Sequence, residues 1–166
     1  MSKPKLQLEQ VYATEAQAVF AFIGRMGVKE PEDAVHDTFV TALHRAHTYD
    51  GSYPVRSWLL GIAFRVAVAR LRKSSEQLVD ALPDRATEAA DPERLTEARR
   101  ALAKVQQVLV RMSDELGTTF VQHELQGVPV AELARTLGVP PATVYSRIRL
   151  AREAFRAALA ETKEQP

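Results

Sequence analysis

Thr143, Tyr145, Ser146, Arg147 and Arg149 place three hydroxyls and two guanidiniums within one short stretch, and Arg152 follows a turn later. Those groups suit one kind of chemistry. Guanidiniums grip phosphates and the acceptor edge of guanine, and hydroxyls bond to phosphates and base edges. The groups a catalyst needs are missing. Cysteine count is zero, which removes disulfides, thiolate metal sites and cysteine nucleophiles and fits a reducing compartment. There is no glycine-rich phosphate loop and no nucleophile motif. His44 and His47 form an i, i+3 pair with His36 near the same face, but a metal site needs three or four converging ligands. Surface histidines are expected, with no metal, no cofactor and no enzymatic activity.

The hydroxyl and guanidinium side chains need a helix aimed outward. The stretch LARTLGVPPATVYSRIRLAR, residues 133–152, supplies one. Gly138 can take the positive φ that ends a helix at Leu137. Pro141 suits the first position of the next helix, where its missing N–H would be unpaired anyway. The prolines hold Val139 and Pro140 extended. The result is a stiff helix-turn-helix corner with Leu133, Leu137, Val139, Val144 and Ile148 inside it and the small Ala134 where the helices approach. The second helix then presents Thr143, Tyr145, Ser146, Arg147 and Arg149 to a major groove, with Arg152 extending the basic face. A plain αα-corner of a helical bundle is the alternative.

The rest of the chain also reads as helix, and strand alternation is not sustained anywhere. Residues 8–27 carry an apolar stripe through Val11, Val19, Phe22, Ile23 and Met26. Pro31 opens a second helix with acids in its first turn. TYDGSYP, residues 48–54, is turn chemistry. A third helix follows from Val55 to Lys73, with Trp58, Leu59, Ile62 and Val66 inward. The three close a core around Phe22, Phe39 and Trp58, so Trp58 is a core residue rather than a base-stacking platform. Residues 76–93 are acidic, hold Pro83 and Pro92, and read as a linker, in part helical. Helices resume near Arg94, and Gly127 is placed as a C′ glycine.

The 166 residues carry a net charge of only +1, but its distribution is uneven. Arg65, Arg70, Arg72 and Lys73 cluster in one stretch, and Arg147, Arg149, Arg152 and Arg156 in another. Glu76, Asp80, Asp84, Glu88, Asp91 and Glu93 lie between them. Two basic faces around an acidic connector suit two contacts with one polyanion, although solvated helix faces would look the same. No apolar run approaches the roughly 18 residues that span a bilayer, and the start lacks a signal peptide's apolar core. No membrane insertion and a cytoplasmic location are expected.

GVPVAELARTLGVPPATVYSRIRLAREAFRAAL, beginning at Gly127, resembles region 4 of the sigma-70 family in its extracytoplasmic-function (ECF) class. The family pattern appears as Glu132-Leu133-Ala134, Leu137-Gly138 and Thr143-Val144-Tyr145-Ser146-Arg147-Ile148. PEDAVHDTFVTALHRAHTYD resembles region 2.2, and SYPVRSWLLGIAFRVAVARLRK resembles regions 2.3 and 2.4. The departures are His36 and Asp37 for Gln-Glu, Arg65 and Ala69 for Asn and Asp, and Pro129 and Pro140 where a serine cap is common.

The resemblance implies an all-α chain of two small domains. Region 2 would span residues 8–75, the linker 76–93 and region 4 residues 94–160. It implies a transcription initiation factor that binds core RNA polymerase and directs it to promoters. Asp33, His36, Asp37 and Val40 would dock on the β′ coiled coil. Tyr49, Asp50, Ser52 and Tyr53 would capture an extruded base of the −10 element, and Arg56, Arg65, Arg70, Arg72 and Lys73 would track phosphates. Thr143, Tyr145, Ser146, Arg147, Arg149 and Arg152 would read the −35 element of promoter DNA, and region 4 would also meet the β flap. An anti-sigma factor is a common partner in this class. Two other readings stay open. One is a stand-alone helix-turn-helix regulator. The other is a sigma mimic that titrates an anti-sigma factor.

Overall fold

A computed structural model describes residues 6–80 and 92–160. Among the described residues there are seven α-helices, one 3-10 turn and no strand. In order they are α1 (Leu8–Arg25), α2 (Pro31–Arg45), the 3-10 turn Ala46–Thr48, α3 (Val55–Asp80), α4 (Pro92–Arg111), α5 (Asp114–Glu124), α6 (Val130–Leu137) and α7 (Pro141–Ala160). No described helix is long and apolar enough to cross a membrane.

The helix ends follow local chemistry. Pro31 opens α2, with Glu32 and Asp33 in the first turn where the helix dipole favours acids. Ser113 caps α5, its Oγ accepting from the Leu116 N–H at 3.3 Å. Gly138 ends α6 at φ 64°, and the Val139 N–H then donates to the Ala134 carbonyl at 3.0 Å. α7 starts on Pro141. Pro129 stands at the α6 cap without a side-chain bond.

Three boundaries differ from the sequence reading. α3 runs on to Asp80, because residues 74–80 contain no proline or glycine to stop it, so the linker's first residues are helical. α4 opens two residues before Arg94, on Pro92 as a first-turn proline. The last helical residue of α5 is Glu124 and its cap is Leu125, so Gly127 (φ 67°) lies one position beyond C′. The middle of the linker, 81–91, lies outside the described residues.

α1, α2 and α3 enclose Val19, Phe22, Ile23, Ala34, Leu59, Ala63, Phe64 and Val68, with Trp58 buried and Phe39 partly buried against them. This core does not stop at α3. Leu109 of α4 and Val121 of α5 belong to the same cluster. The α6–α7 corner has a small core of its own: Val128, Leu133, Ala134, Val144 and Ile148, with Leu137 and Val139 packed on it. A third cluster joins Val108 and Met112 to Ala151, flanked by the stacked rings of Phe120 and Phe155 at 4.7 Å.

Candidate nucleic-acid and protein interfaces

The corner is the most clearly formed of the candidate interfaces. With Val144 and Ile148 turned into its core, the 3.6-residue period leaves Tyr145, Ser146, Arg149 and Arg152 exposed and Thr143 and Arg147 half-exposed. Tyr145 is 63% exposed. The arginines are paired within the chain. Arg147 reaches Glu115 of α5 at 3.2 Å, Arg149 meets Glu153 one turn on at 2.8 Å, and Arg152 holds Glu124 of α5 at 2.5 Å. Solvent-facing pairs of this kind contribute about 0–1 kcal/mol each, so phosphate can replace the carboxylates cheaply.

The loop before α3 is ordered by its own side chains. The Ser52 N–H and hydroxyl both donate to Asp50 Oδ1, at 2.9 and 2.6 Å. The Tyr49 hydroxyl donates to the Tyr53 carbonyl at 2.6 Å, and the two rings meet edge to face at 5.4 Å. Tyr49 also lies 5.4 Å from Trp58. Burial first, and then the Asp50 carboxylate, hold the Tyr49 hydroxyl above its ordinary value of 10.0; the same causes raise Tyr53, with Tyr49 adding to them. Both tyrosines therefore stay neutral donors at physiological pH. Each is half-buried, serving the core on one side and solvent on the other, while Asp50 and Ser52 are exposed.

The five bases assigned to phosphate contact do not share one face. Arg65 and Lys73 are exposed. Arg56 turns to Glu15 of α1 at 2.6 Å. Arg70 turns to Asp37 of α2 at 2.5 Å, and its Nε is buried without a hydrogen-bond partner. Arg72 points into the other half of the molecule, its Nε donating to the Val110 carbonyl at 3.1 Å and its Nη2 to the Met112 carbonyl at 3.3 Å. Asp114 lies 3.6 Å from the same guanidinium.

Asp33, His36, Asp37 and Val40 are all exposed on α2, at helical spacing and so along one stripe. His36 and Val40 line a shallow apolar groove with Leu8, Tyr12, Phe39 and Leu43. Tyr12 and Leu43 are more than half exposed. The sequence reading found the charged part of this stripe and missed its apolar wall, although Tyr12 follows the α1 periodicity and was legible as part of it.

Sequence reasoning also missed the junction between the halves. Gln122 of α5 is 1% exposed, and its Nε2 donates to the Ser57 carbonyl at 2.5 Å. The Ser57 hydroxyl donates to Glu132 of α6 at 2.7 Å. Gln106 of α4 reaches the Met26 carbonyl at 3.0 Å. A Cβ on Gly117 would collide with the Phe64 ring. The sequence signals were Gly117 and Gly61, glycines inside helices with no turn to explain them; a Cβ on Gly61 would lie 3.4 Å from Gln122 Nε2.

Comparison with known proteins matches this geometry. The family model described as sigma-70 region 2 matches residues 11–77, and that described as sigma-70, region 4 matches residues 102–155. Over 158 residues, 87% of this chain and 80% of the relative, the chain is 30% identical to RNA polymerase sigma factor NccH of Alcaligenes xylosoxydans xylosoxydans. The chain belongs to the sigma-70 family, ECF class. It is also 32% identical over 124 residues to the ECF RNA polymerase sigma factor SigM of Mycobacterium tuberculosis strain H37Rv, covering 75% of this chain and 61% of SigM. The chain thus spans under two thirds of that relative's length. Among solved structures it resembles CnrH in complex with the cytosolic domain of CnrY, with a TM-score of 0.55, 25% identity, and 93% and 88% of the two chains covered. It shares its fold with sigma factor RpoE of Bartonella quintana, solved in complex with the anti-sigma factor NepR, at a TM-score of 0.52 and 18% identity over 92% and 96% of the chains. This chain's described residues form the all-α arrangement expected from the sequence.

Proposed function

We propose that this chain is a transcription initiation factor that binds core RNA polymerase and directs it to specific promoters, in the cytoplasm and with no enzymatic activity of its own. One observation carries the reading. The region 4 match coincides with a formed helix-turn-helix whose outer face is Thr143, Tyr145, Ser146, Arg147 and Arg149, and the same chain carries the region 2 match with its own exposed stripe on α2. A stand-alone regulator has no use for that second element. A sigma mimic has no use for an intact DNA-reading face.

In this reading residues 8–75 act as region 2, 76–93 as the linker and 94–160 as region 4. Asp33, His36, Asp37 and Val40 meet the β′ coiled coil, and the adjoining apolar groove favours an amphipathic helix there. The loop of Tyr49, Asp50, Ser52 and Tyr53 receives an unstacked base of the −10 element, with neutral tyrosine rings available for stacking. Arg56, Arg65, Arg70, Arg72 and Lys73 serve the phosphates. The α7 face reads the −35 element, and region 4 also contacts the β flap. An anti-sigma factor is the natural further partner, since relatives of this fold have been solved bound to one or to a cytosolic domain.

Run-off transcription from a pool of genomic fragments tests the proposal, using core RNA polymerase with and without the chain. Discrete transcripts that require both components are expected, and their start sites would give the promoter motif. No such transcripts, together with failure to co-elute with core, would sink it.

A further inference from the structure

A cleft of about 680 Å³ lies where the α1–α2 turn, residues 70–75 of α3 and the second half of α4 come together. That volume is in the range of cavities that hold small molecules. Four bases line it: Lys29 of the turn, Arg70 and Lys73 of α3, and Arg111 of α4. They stand against one acid, Glu30. Val28 and Leu71, both buried, give the cleft an apolar wall. Its frame is fixed. Gln106 Nε2 donates to the Met26 carbonyl at 3.0 Å and to the Gly27 carbonyl at 3.3 Å, which joins α4 to the turn. Gly27 sits at φ 76°, and a Cβ there would collide with Gln106 Nε2. The turn combines a positive φ with a close approach, and glycine alone meets both demands.

Like charges brought together from three elements repel, and they favour an anion that answers them at once. Arg70 is only partly answered. Its Nη2 pairs with Asp37, which is 52% exposed, while its Nε is buried without a hydrogen-bond partner. An exposed pair of that kind holds its guanidinium weakly, and an oxyanion that draws the fork away from Asp37 would give Nε a partner as well. Ser74 and Gln107 add a hydroxyl and an amide to the lining. The C-terminal end of α4 would by itself repel an anion, but Arg72 covers its Val110 carbonyl and the Met112 carbonyl beyond it. A monocarboxylate or a single phosphate would leave most of the lining charge unmet, whereas a chain of two or three phosphoryl groups can reach bases on separate elements. Among the described residues that line the cleft none is aromatic, so a nucleobase has no ring to stack on and the phosphates must carry the affinity.

We propose that this cleft is a binding site for a di- or triphosphate anion, carried by a nucleotide or as inorganic polyphosphate. Arg70 grips the anion with its fork, and Lys29, Lys73 and Arg111 complete its neutralisation. Arg70 and Lys73 are also among the bases assigned above to promoter phosphates. Lys29 and Arg111 are not, and they distinguish the cleft from a DNA-tracking stripe.

Isothermal titration of the full chain with inorganic tripolyphosphate, with ATP and with inorganic phosphate, free of magnesium and at low salt, tests the site. It needs neither polymerase nor promoter, so its outcome is separate from that of the transcription reading. Tripolyphosphate should bind at one equivalent per chain, and inorganic phosphate at least about ten-fold more weakly, because one phosphoryl group reaches fewer of the bases. Lys29→Ala with Arg111→Ala should weaken tripolyphosphate binding at least about ten-fold. Both residues are exposed, so helical circular dichroism should be kept. Arg45→Ala removes an exposed base of α2 outside the cleft and should change the affinity by less than about two-fold. Tighter binding of ATP than of tripolyphosphate assigns the site to a nucleotide, and equal or weaker binding assigns it to the phosphate chain alone. Should the double variant lose its helicity, Arg111→Ala alone decides, with a loss of at least about three-fold expected. The site is overturned if neither tripolyphosphate nor ATP binds, if the cleft variants bind as the parent does, or if Arg45→Ala weakens binding as much as they do, which would be general attraction to a basic surface.

Discussion

Arg147 and Arg149 separate a reading surface from a decorated one. The Arg149–Glu153 pair is exposed on both sides, so losing it should barely change folding, whereas the Arg147 side chain is only 18% exposed and its removal also loses packing of the stem. A bidentate arginine–base contact is worth about 1–3 kcal/mol of discrimination. Arg147→Ala with Arg149→Ala should therefore abolish promoter-specific transcription while the variant stays folded, with Arg149→Ala alone leaving the thermal midpoint almost unchanged. Transcription within two-fold of the parent would show that α7 does not read DNA. The tyrosine pair gives a second prediction. Folding raises the Tyr49 and Tyr53 hydroxyls above 10.0, chiefly through burial and then through Asp50. The unfolded chain releases these protons first. The stability they contribute is therefore complete below about pH 10 and is lost as pH rises through the higher folded values. Denaturant midpoints at pH 8 and pH 11 should fall further apart in the parent than in Tyr49→Phe, and identical falls would remove the assignment.

Helices divide into those whose ends the sequence announces and those it does not. The α6–α7 corner was readable because its determinants are local. Gly138 sits at φ 64°, Pro141 opens α7, and the residues packing inside are neighbours in sequence. Gly138→Ala puts a Cβ in the left-handed region and should cost about 1–2 kcal/mol, read as an earlier denaturant midpoint with the α6–α7 amides losing protection from hydrogen exchange first. An unchanged midpoint would mean that the corner is not held by that residue. Ser113 is another local signal, and Ser113→Ala should cost about 1 kcal/mol through the α5 cap. The far end of α3 was hidden for the opposite reason. Nothing within residues 74–80 says stop, and the expectation of a part-helical linker rested on acidity, weak periodicity and the prolines at 83 and 92, none of which ends a helix before Asp80. The site residues divide in the same way. Tyr145 and Arg149 were placed by helical period alone, whereas the turn of Arg72 toward Val110 and Met112 depends on contacts nearly forty positions away in sequence, which no local pattern encodes.

At the scale of the whole chain, the family resemblance implies two small domains, and one hydrophobic cluster runs through residues of both. The cluster around Phe64 and Leu59 takes in Leu109 and Val121 across the junction, while the α6–α7 corner and the Val108–Met112–Ala151 cluster lie within the second half. A half of this chain is small for independent stability, since short domains bury a lower fraction of their surface. Sharing one cluster offsets that, and it ties the melting of α1–α3 to that of α4 and α5. The parent chain should therefore unfold in one calorimetric transition with matching van't Hoff and calorimetric enthalpies. Gly117→Leu, which forces Phe64 and α5 apart, should split that transition in two, with the part containing α6 and α7 melting first, because its remaining core is the smaller. Two transitions in the parent would mean that the halves are thermodynamically independent and that their contact is too weak to restrain either. A single transition retained in a folded Gly117→Leu variant would mean that the shared cluster around Leu109 and Val121 holds the halves together without the Phe64 contact.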